Sequence, residues 1–393
     1  MDDRLILQNT RSAELTFNKS SIESILGFQF ADDNHVELLV CGNEIFQKIL
    51  DCIAAAKDTI CIEFYIFRDD DTGKKVAGLL KEKAKQGVRV YLLYDHFGSF
   101  LTSAKFWKDL RKSGIELKVA NPFRWSSPGI YLYRNHKKLL LIDSEIAILG
   151  GFNIADEYYH AFKRKKRMWR DTGIFLKGPV AFTLMNLFNK SWTTWQGKAI
   201  TLNAIKYSSS NGVTVIPIFT NTGKARRKMR RLLEFSIRNA RHSIVLTTAY
   251  FIPTGRMTRV LISAAKRGVK LKLLLPGESD VKSVLYAGRS TYSRLLKSGA
   301  EIFTYHGSVL HAKTAVFDYC WSIVGSTNLD FQSLRRNEES NVGILDCGFS
   351  RHMITTFEND LKNSIKIDME TWAKRPLYQK FLEQFFALIM KKL

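Results

Sequence analysis

Two segments of this chain carry the same pattern of polar residues, and that repetition limits the possible folds more than any other feature. The pattern is H-x-K-x-x-x-x-D-x-x-x-x-x-x-G-[GS]-x-N, and its second copy lies 175 residues after the first. One copy would be a weak motif, whereas two predict equivalent halves that contribute to one site. The matching positions are His136, Lys138, Asp143, Gly151 and Asn153 in the first copy and His311, Lys313, Asp318, Ser326 and Asn328 in the second.

Short apolar runs alternate with amphipathic segments on both sides of a polar join near residues 197–212. Runs typical of strands at 59–67 and 88–95 enclose a helical segment at 74–86, and the same order recurs from residue 226. This alternation predicts an α/β protein of two pseudo-twofold-related α/β/α halves with mixed sheets and one shared active site at their interface.

The same patterns predict four regions. They are an irregular N-terminal arm over 1–35, a first half over 36–200, a second half over 201–370 and an amphipathic C-terminal helix over 371–393. In the last region Leu377, Phe381, Phe385 and Leu388 recur at helical spacing. Such a face can lie in a bilayer interface or pack on the protein core, and the sequence leaves both open.

The charge balance indicates the kind of partner. Lys and Arg number 60 against 37 Asp and Glu, which gives a net charge of +23 and favours nucleic acid or an anionic membrane surface. The sequence shows neither a signal peptide nor an apolar run of about 18 residues, so peripheral membrane contact is expected. The five cysteines match no zinc spacing and are expected to be reduced thiols of a cytoplasmic protein.

The repeated residue types fit the chemistry of phosphate. Two lysines and two asparagines supply cationic and neutral donors for phosphate oxygens, and the small residues Gly151 and Ser326 allow close backbone approach. Two histidines on opposite sides of phosphorus can act as nucleophile and as acid/base. The lysines supply positive charge, so we expect neither a metal nor another cofactor.

Each histidine also needs a carboxylate that orients it. Asp171 and Glu339 precede similar apolar runs in the two halves and are the preferred candidates. The motif aspartates Asp143 and Asp318 stay in the candidate catalytic set, although their positions after apolar strands favour the stabilisation of a turn.

Beyond the repeated motif, longer stretches resemble the phospholipase D superfamily, and bacterial cardiolipin synthases most closely. The resemblance covers residues 36–393 and is carried by RNHKKLLLID with ILGGFN, by 169–192, by 275–303 and by 310–341. It implies a phosphatidyl-histidine intermediate and metal-free transfer to phosphatidylglycerol, with His136 as nucleophile and His311 as acid/base. Many members carry two N-terminal transmembrane helices that this sequence lacks, so the resemblance is to the soluble type.

The resemblance leaves other functions open. A hydrolytic phospholipase D would use the same intermediate, and a metal-independent nuclease would suit the basic surface. We find no nucleic-acid-binding module, so nucleic acid is the less favoured partner, and a peripheral site on the cytoplasmic side of the inner membrane is expected. The aromatic residues Phe123, Trp125 and Tyr131 precede the first motif and are candidates for substrate binding or membrane contact.

Overall fold

The fold is seen in a computed structural model that describes residues 17–123, 125–126, 132–159, 168–202 and 212–392. In the first half the elements are α1 (Lys19–Leu26), β1 (Ala31–Leu39), α2 (Gly42–Ala55), β2 (Thr59–Phe64), α3 (Asp71–Lys85), β3 (Arg89–Asp95), α4 (Ala104–Lys112), β4 (Glu116–Ala120), β5 (Lys138–Ile142), β6 (Ile146–Gly150), α5 (Asp156–Tyr159), β7 (Gly173–Lys177) and α6 (Pro179–Thr194). In the second half they are β8 (Val213–Phe219), α7 (Gly223–Asn239), β9 (Ser243–Thr247), α8 (Gly255–Lys266), β10 (Lys270–Pro276), α9 (Lys282–Arg289), α10 (Tyr292–Leu296), β11 (Glu301–Tyr305), β12 (Thr314–Phe317), β13 (Trp321–Gly325), α11 (Phe331–Arg335), β14 (Ser340–Leu345), α12 (Cys347–Leu361), β15 (Ser364–Lys366), α13 (Met369–Ala373) and α14 (Leu377–Lys392).

The strands form one mixed sheet whose order repeats outward from its centre. The order is β15-β11-β10-β9-β12-β13-β14-β8-β1-β7-β6-β5-β2-β3-β4, with β1 and β8 as the antiparallel central pair. From that pair, β7-β6-β5-β2-β3-β4 on one side matches β14-β13-β12-β9-β10-β11 on the other. The predicted α/β architecture with two related halves is confirmed, and the two half-sheets join into a continuous one.

Helices cover both faces of this sheet, and one of the faces is shared by the halves. Alternate residues of β5 point to opposite faces, so Leu139 belongs to a core with Val316 of β12, whereas Leu140 belongs to a core built only from the first half. The shared core packs beneath α6 and α12. The second half has its own core on the other face. The shared core therefore holds the two halves in a fixed arrangement.

The motif aspartates stabilise two equivalent hairpin turns. Asp143 follows β5 with a φ of 53°, and its carboxylate accepts hydrogen bonds from the backbone N–H groups of residues 57, 58 and 59, each at 2.8 Å. Asp318 has a φ of 46° and accepts from the N–H groups of residues 241, 242 and 243. Each aspartate thus joins a hairpin to the start of the neighbouring strand.

The irregular arm predicted over 1–35 is wrong from residue 19 onward. Helix α1 begins after Asn18, whose side chain accepts from the Ser21 N–H, and it buries Ile22 and Leu26 against the second-half core. Strand β1 then pairs with β7 and β8; its end coincides with the apolar run VELLV at 36–40, which is typical of a strand, whereas its first residues ADDNH are mostly polar. Its pairing on both sides overrides its weak propensity. Residues 1–16 lie outside the described part, as do residues 203–211 of the predicted join, and the other region boundaries stay predictions.

The expectation of five reduced cysteines is wrong for one pair. Cys320 and Cys347 form a disulfide between the start of β13 and the start of α12, whereas Cys41, Cys52 and Cys61 are free thiols. The two disulfide cysteines are brought together because β13 pairs with β14, whose end leads into α12. In the part of the chain that the structure describes, no helix combines the length and apolarity needed to cross a membrane.

Candidate active site

His136 is held against a strand segment from the opposite half. Its backbone N–H donates to the Glu338 carbonyl at 2.8 Å, and the Glu338 N–H donates to the Arg134 carbonyl at 2.8 Å. This pairing brings the next residue, Glu339, beneath the imidazole, where its Oε2 lies 2.9 Å from Nδ1 of His136. The carboxylate that orients the first-motif histidine therefore comes from the second half.

His311 is held in the reciprocal way. Its N–H donates to the Arg170 carbonyl at 2.7 Å, and the Arg170 N–H donates to the Val309 carbonyl at 2.9 Å. Its Nδ1 lies 2.7 Å from Oδ2 of Asp171, a first-half residue. Both predicted carboxylates thus contact histidines, and each His–carboxylate pair requires both halves.

The two histidines share one cavity of about 500 Å³. Asn153 and Asn328 of the two motifs line it as well, and their amide oxygens accept the backbone N–H groups of Ile66 and Tyr250, each at 3.2 Å. This leaves the amide NH₂ groups as the ends that can donate to a ligand or, for Asn153, to the Tyr158 hydroxyl at 2.9 Å. The volume is in the range of small-molecule sites.

Both motif lysines lie behind the histidines. Nζ of Lys138 donates to the His136 carbonyl at 2.7 Å, and Nζ of Lys313 donates to the His311 carbonyl and lies 2.8 Å from Nδ1 of that ring. Neither is among the described residues that line the cavity. In this arrangement the lysines add positive charge behind the site, whereas contact with phosphate oxygens was the expectation.

Burial leaves both imidazoles neutral at pH 7. It lowers the pKa of His136 to about 4, Glu339 acts in the opposite direction, and the pKa of His311 is also lowered, by burial and then by Lys313. Burial raises the pKa of Asp171 to about 6. Burial would raise the pKa of Glu339 as well, but His136, Lys138 and Ser326 hold it below its usual value. A neutral His136 that donates Nδ1–H to this carboxylate keeps the Nε2 lone pair for the cavity.

The two small motif residues predicted to bind substrate lie behind the carboxylates. A Cβ at Gly151 would stand 2.3 Å from Oδ1 of Asp171, so only glycine fits there. The equivalent Ser326 donates its hydroxyl to Oε2 of Glu339 at 2.6 Å. Neither is among the described residues lining the cavity, so a role as substrate contacts is not supported. Gly151 instead leaves room for the Asp171 carboxylate, and Ser326 donates to that of Glu339.

Four of the remaining candidates, Asp143, Asp318, Phe123 and Trp125, are not among the described residues that line the cavity. Asp143 and Asp318 stabilise hairpin turns, which accounts for their place in the motif without a catalytic role. Phe123 and Trp125 contact each other at 4.9 Å between ring centroids and are 39% and 89% exposed. Among the described residues neither belongs to the cavity lining. Tyr131 lies outside the described residues.

The sequence patterns missed a buried charged network next to His136. Lys137 is fully buried, and its Nζ lies 2.8 Å from Oε1 of Glu63 and 2.6 Å from Oε2 of Glu338. The only sequence signal was that one motif copy has lysine where the other has Ala312. Glu63 lies within an apolar strand and carried no signal.

Aromatic residues of the cavity wall were missed as well. Tyr65 lies 4.9 Å from the His136 ring, and Trp169 and Tyr158 lie 5.3 and 5.6 Å from the His311 ring, between centroids. Tyr250 donates its hydroxyl to Asp280 at the same cavity, at 2.8 Å. Within the described residues, no group of three or more His, Cys, Asp and Glu side chains is arranged to hold a metal ion.

Known proteins are similar to this chain in sequence or in fold. The family model described as "Cardiolipin synthase, PLD-like domain" matches residues 49–192 and 233–361. The Major cardiolipin synthase ClsA of Bacillus subtilis is 34% identical over 92% of this chain and 76% of its own, and Cardiolipin synthase 2 of Bacillus anthracis is 32% identical over 98% and 75%.

Among solved structures, the phosphatidylserine synthase of Haemophilus influenzae superposes with a TM-score of 0.74 at 14% identity, covering 94% of this chain and 97% of that one. The polyphosphate kinase of Porphyromonas gingivalis gives 0.57 at 15% identity over 92% and 53%. These two likenesses concern the fold, whereas the sequence matches span the two motifs and both halves. The chain belongs to the phospholipase D-like cardiolipin synthase family.

Proposed function

We propose that this chain is a cardiolipin synthase-type phosphatidyltransferase that moves a phosphatidyl group from a phospholipid donor to a hydroxyl of phosphatidylglycerol. The observation that carries the proposal is the pair of histidines, each oriented by a carboxylate of the opposite half, that line one cavity. Relatives named as cardiolipin synthases match more than nine tenths of the chain, which supports the choice of lipid substrates.

In the first step Nε2 of His136 attacks phosphorus of the donor. The N–P bond forms as the P–O bond to the headgroup alcohol breaks, and His311 in its protonated form gives its proton to the leaving oxygen. The negative phosphate in the cavity favours that protonated form, which offsets the effect of burial on the ring. Asn153 and Asn328 donate to the non-bridging oxygens.

In the second step a hydroxyl of phosphatidylglycerol takes the place of the leaving alcohol. His311, now neutral, removes the hydroxyl proton while the oxygen attacks phosphorus, and the N–P bond to His136 breaks. The product is cardiolipin, and both rings return to their starting states. Water in place of the acceptor would release phosphatidic acid, the product of a hydrolytic phospholipase D.

The surroundings of the two rings support His136 as the nucleophile. The pKa of Glu339 is held below its usual value, and its carboxylate accepts hydrogen bonds from both His136 and Ser326. Its negative charge therefore lies against the ring that would carry phosphorus. The pKa of Asp171 is raised to about 6, and both its carboxylate and the Lys313 ammonium group lie next to Nδ1 of His311. A carboxyl group that takes up a proton more readily suits the histidine that must exchange protons.

The proposed location is peripheral on the cytoplasmic side of the inner membrane. The lipid substrates reside in a bilayer, and the net charge of +23 favours the anionic leaflet. The outer face of α14 and the side chains of Phe123 and Trp125 are exposed and apolar, and they are the candidates for membrane contact.

The test is lipid mass spectrometry on purified protein incubated with mixed phosphatidylglycerol and phosphatidylethanolamine vesicles in the presence of a chelator. Cardiolipin should accumulate, and it should disappear in the His136→Ala and His311→Ala variants. Phosphatidic acid without cardiolipin would support hydrolysis instead. Cleavage of single-stranded DNA with lipids untouched would support a nuclease.

A phosphorus-labelled donor then identifies the nucleophile. The covalent N–P adduct is stable to base and labile to acid, so it can be followed on denatured protein. Label should accumulate on the His311→Ala variant, because the adduct still forms with activated donors but turns over slowly, and it should be absent from His136→Ala. The opposite distribution would exchange the two roles.

A further inference from the structure

Exposed apolar side chains are concentrated around the mouth of the active-site cavity. Of the large hydrophobic side chains that are exposed in the described residues, all but Ile365 belong to two groups. The first patch, from the first half, consists of Phe97, Phe100, Leu101, Phe123, Trp125, Leu132 and Tyr133. The second patch, from the second half, consists of Val281, Leu377, Tyr378, Phe381, Phe385, Leu388 and Ile389.

The first patch lies on loops that leave the sheet at one edge. Strands β3 and β4 are parallel neighbours, so the segments that follow them emerge together. Asp95 ties these segments to the motif by accepting from the Phe97 N–H at 3.0 Å, the Asn121 amide at 3.0 Å and the Asn135 N–H at 2.8 Å. The Arg134 guanidinium, which lines the cavity, lies 3.9 Å from the Phe97 ring centroid. The patch therefore borders the cavity.

The second patch, except for Val281 just before α9, lies on α14, which carries apolar side chains on both faces. The inner face of α14 packs on α9, with the Phe386 ring 6.0 Å from Tyr286, and Met390 reaches the cavity wall. The outer face carries Phe381 and Leu388, which are 68% and 63% exposed. A helix on a water-exposed surface carries polar residues on its outer face. The outer face of α14 therefore fits an apolar medium.

We infer that both patches insert into the interfacial layer of an anionic phospholipid bilayer, so that the cavity between them opens onto the membrane. This inference deepens the proposed function and rests on it, because a lipid substrate must leave the bilayer to reach the histidines. Exposed lysines accompany both patches and suit anionic headgroups: Lys105, Lys108, Lys282 and Lys374. A protein docked across both patches would close the mouth, whereas a bilayer supplies the substrate there.

The test measures binding to vesicles of phosphatidylglycerol and phosphatidylcholine by co-sedimentation, a readout that does not require turnover. The Phe381→Ser/Phe385→Ser and Phe100→Ser/Leu101→Ser variants remove two side chains from one patch each. Ile365→Ser is the matched control, since Ile365 is 59% exposed but belongs to neither patch. Each double variant should bind roughly a hundredfold more weakly, since each inserted side chain contributes roughly tenfold, while Ile365→Ser should bind like the wild type.

Several outcomes would overturn the inference. One is wild-type binding by both double variants with unchanged melting temperatures. Another is complete release of the wild type in about 1 M salt, where charge is screened and apolar insertion persists. A dimer that dissociates in the Phe381→Ser/Phe385→Ser variant, with vesicle binding intact, would assign the helix to a second copy. Vesicle binding without any cardiolipin synthesis would instead overturn the proposed function and leave the docking surface standing.

Discussion

The buried network around Lys137 predicts a large loss of stability when its cation is removed. Lys137, Glu63 and the side chain of Glu338 form a cation between two carboxylates, and Lys137 and Glu63 are fully buried. Substitution of Lys137 by Met keeps most of the side-chain volume but leaves the carboxylates without their cation. Removal of one partner from a buried ion pair costs about 3–5 kcal/mol, against a total stability of about 5–15 kcal/mol. We therefore expect Lys137→Met to lower the free energy of unfolding by about 3–5 kcal/mol at pH 7.

The pH dependence of this loss tests its cause. In the variant the fully buried Glu63 carboxylate has lost the Lys137 cation, so burial favours its protonated form in the folded state. The folded variant then binds more protons than the unfolded chain as the pH falls. Its deficit in stability relative to the wild type should be largest at neutral pH and should shrink as the pH falls toward about 5. Urea denaturation followed by circular dichroism at a series of pH values measures this directly.

Two control variants separate the effect of the buried charge from other effects of the substitution. Lys85→Met removes an exposed lysine of α3 and should change stability by less than about 0.5 kcal/mol. Glu63→Gln added to Lys137→Met removes one of the two uncompensated charges, so the double variant should be more stable than Lys137→Met alone. A loss in Lys137→Met that is independent of pH, or that Glu63→Gln deepens, would refute the account based on charge.

Further predictions concern the site and its turns. Glu339→Gln should lower kcat by at least about a hundredfold without loss of the fold, because the amide is not the ionised partner that fixes the tautomer of His136. Initial rates of the variant and the wild type at saturating lipid measure this. In the His311→Ala variant, the extent of His136 labelling in brief reactions should stay constant between neutral pH and about pH 5. It should fall as the pH drops through about 4, because protonation of the ring removes its lone pair. A loss of labelling that begins above pH 6 would contradict this prediction. Asp143→Ala and Asp318→Ala should each lower the free energy of unfolding by about 2–3 kcal/mol through unmade backbone hydrogen bonds, and urea titration should show this with kcat largely retained near neutral pH.

The duplicated motif was sufficient to predict the two halves, a shared cavity and four of the polar side chains that line it. It could not show which carboxylate meets which histidine, because that depends on how segments of opposite halves pair, as Glu338 does with Asn135. Only the end of strand β1 was predicted, from the apolar run at 36–40; its polar first residues were missed because their pairing is decided by neighbours more than 100 residues away in sequence. The apolar segment 97–101 was missed because nothing in its sequence indicates that it borders the cavity.

The site is symmetric where it faces the substrate and asymmetric behind it. The register of the strands makes Glu63 equivalent to Thr247, since each pairs with the residue after the motif lysine. Lys137 is likewise equivalent to Ala312, so the three-membered network has no counterpart in the second half.

At the position equivalent to Glu338 the first half carries Arg170, whose guanidinium binds both carboxylate oxygens of Asp360 at 2.7 and 2.8 Å. A network of Lys137, Glu63 and Glu338 therefore lies behind His136, with Arg226 close to Glu338, whereas an Arg–Asp pair lies behind His311. The duplication thus supplied two equivalent histidines, and the residues that differ behind them make their surroundings unequal, as the proposed division of roles requires.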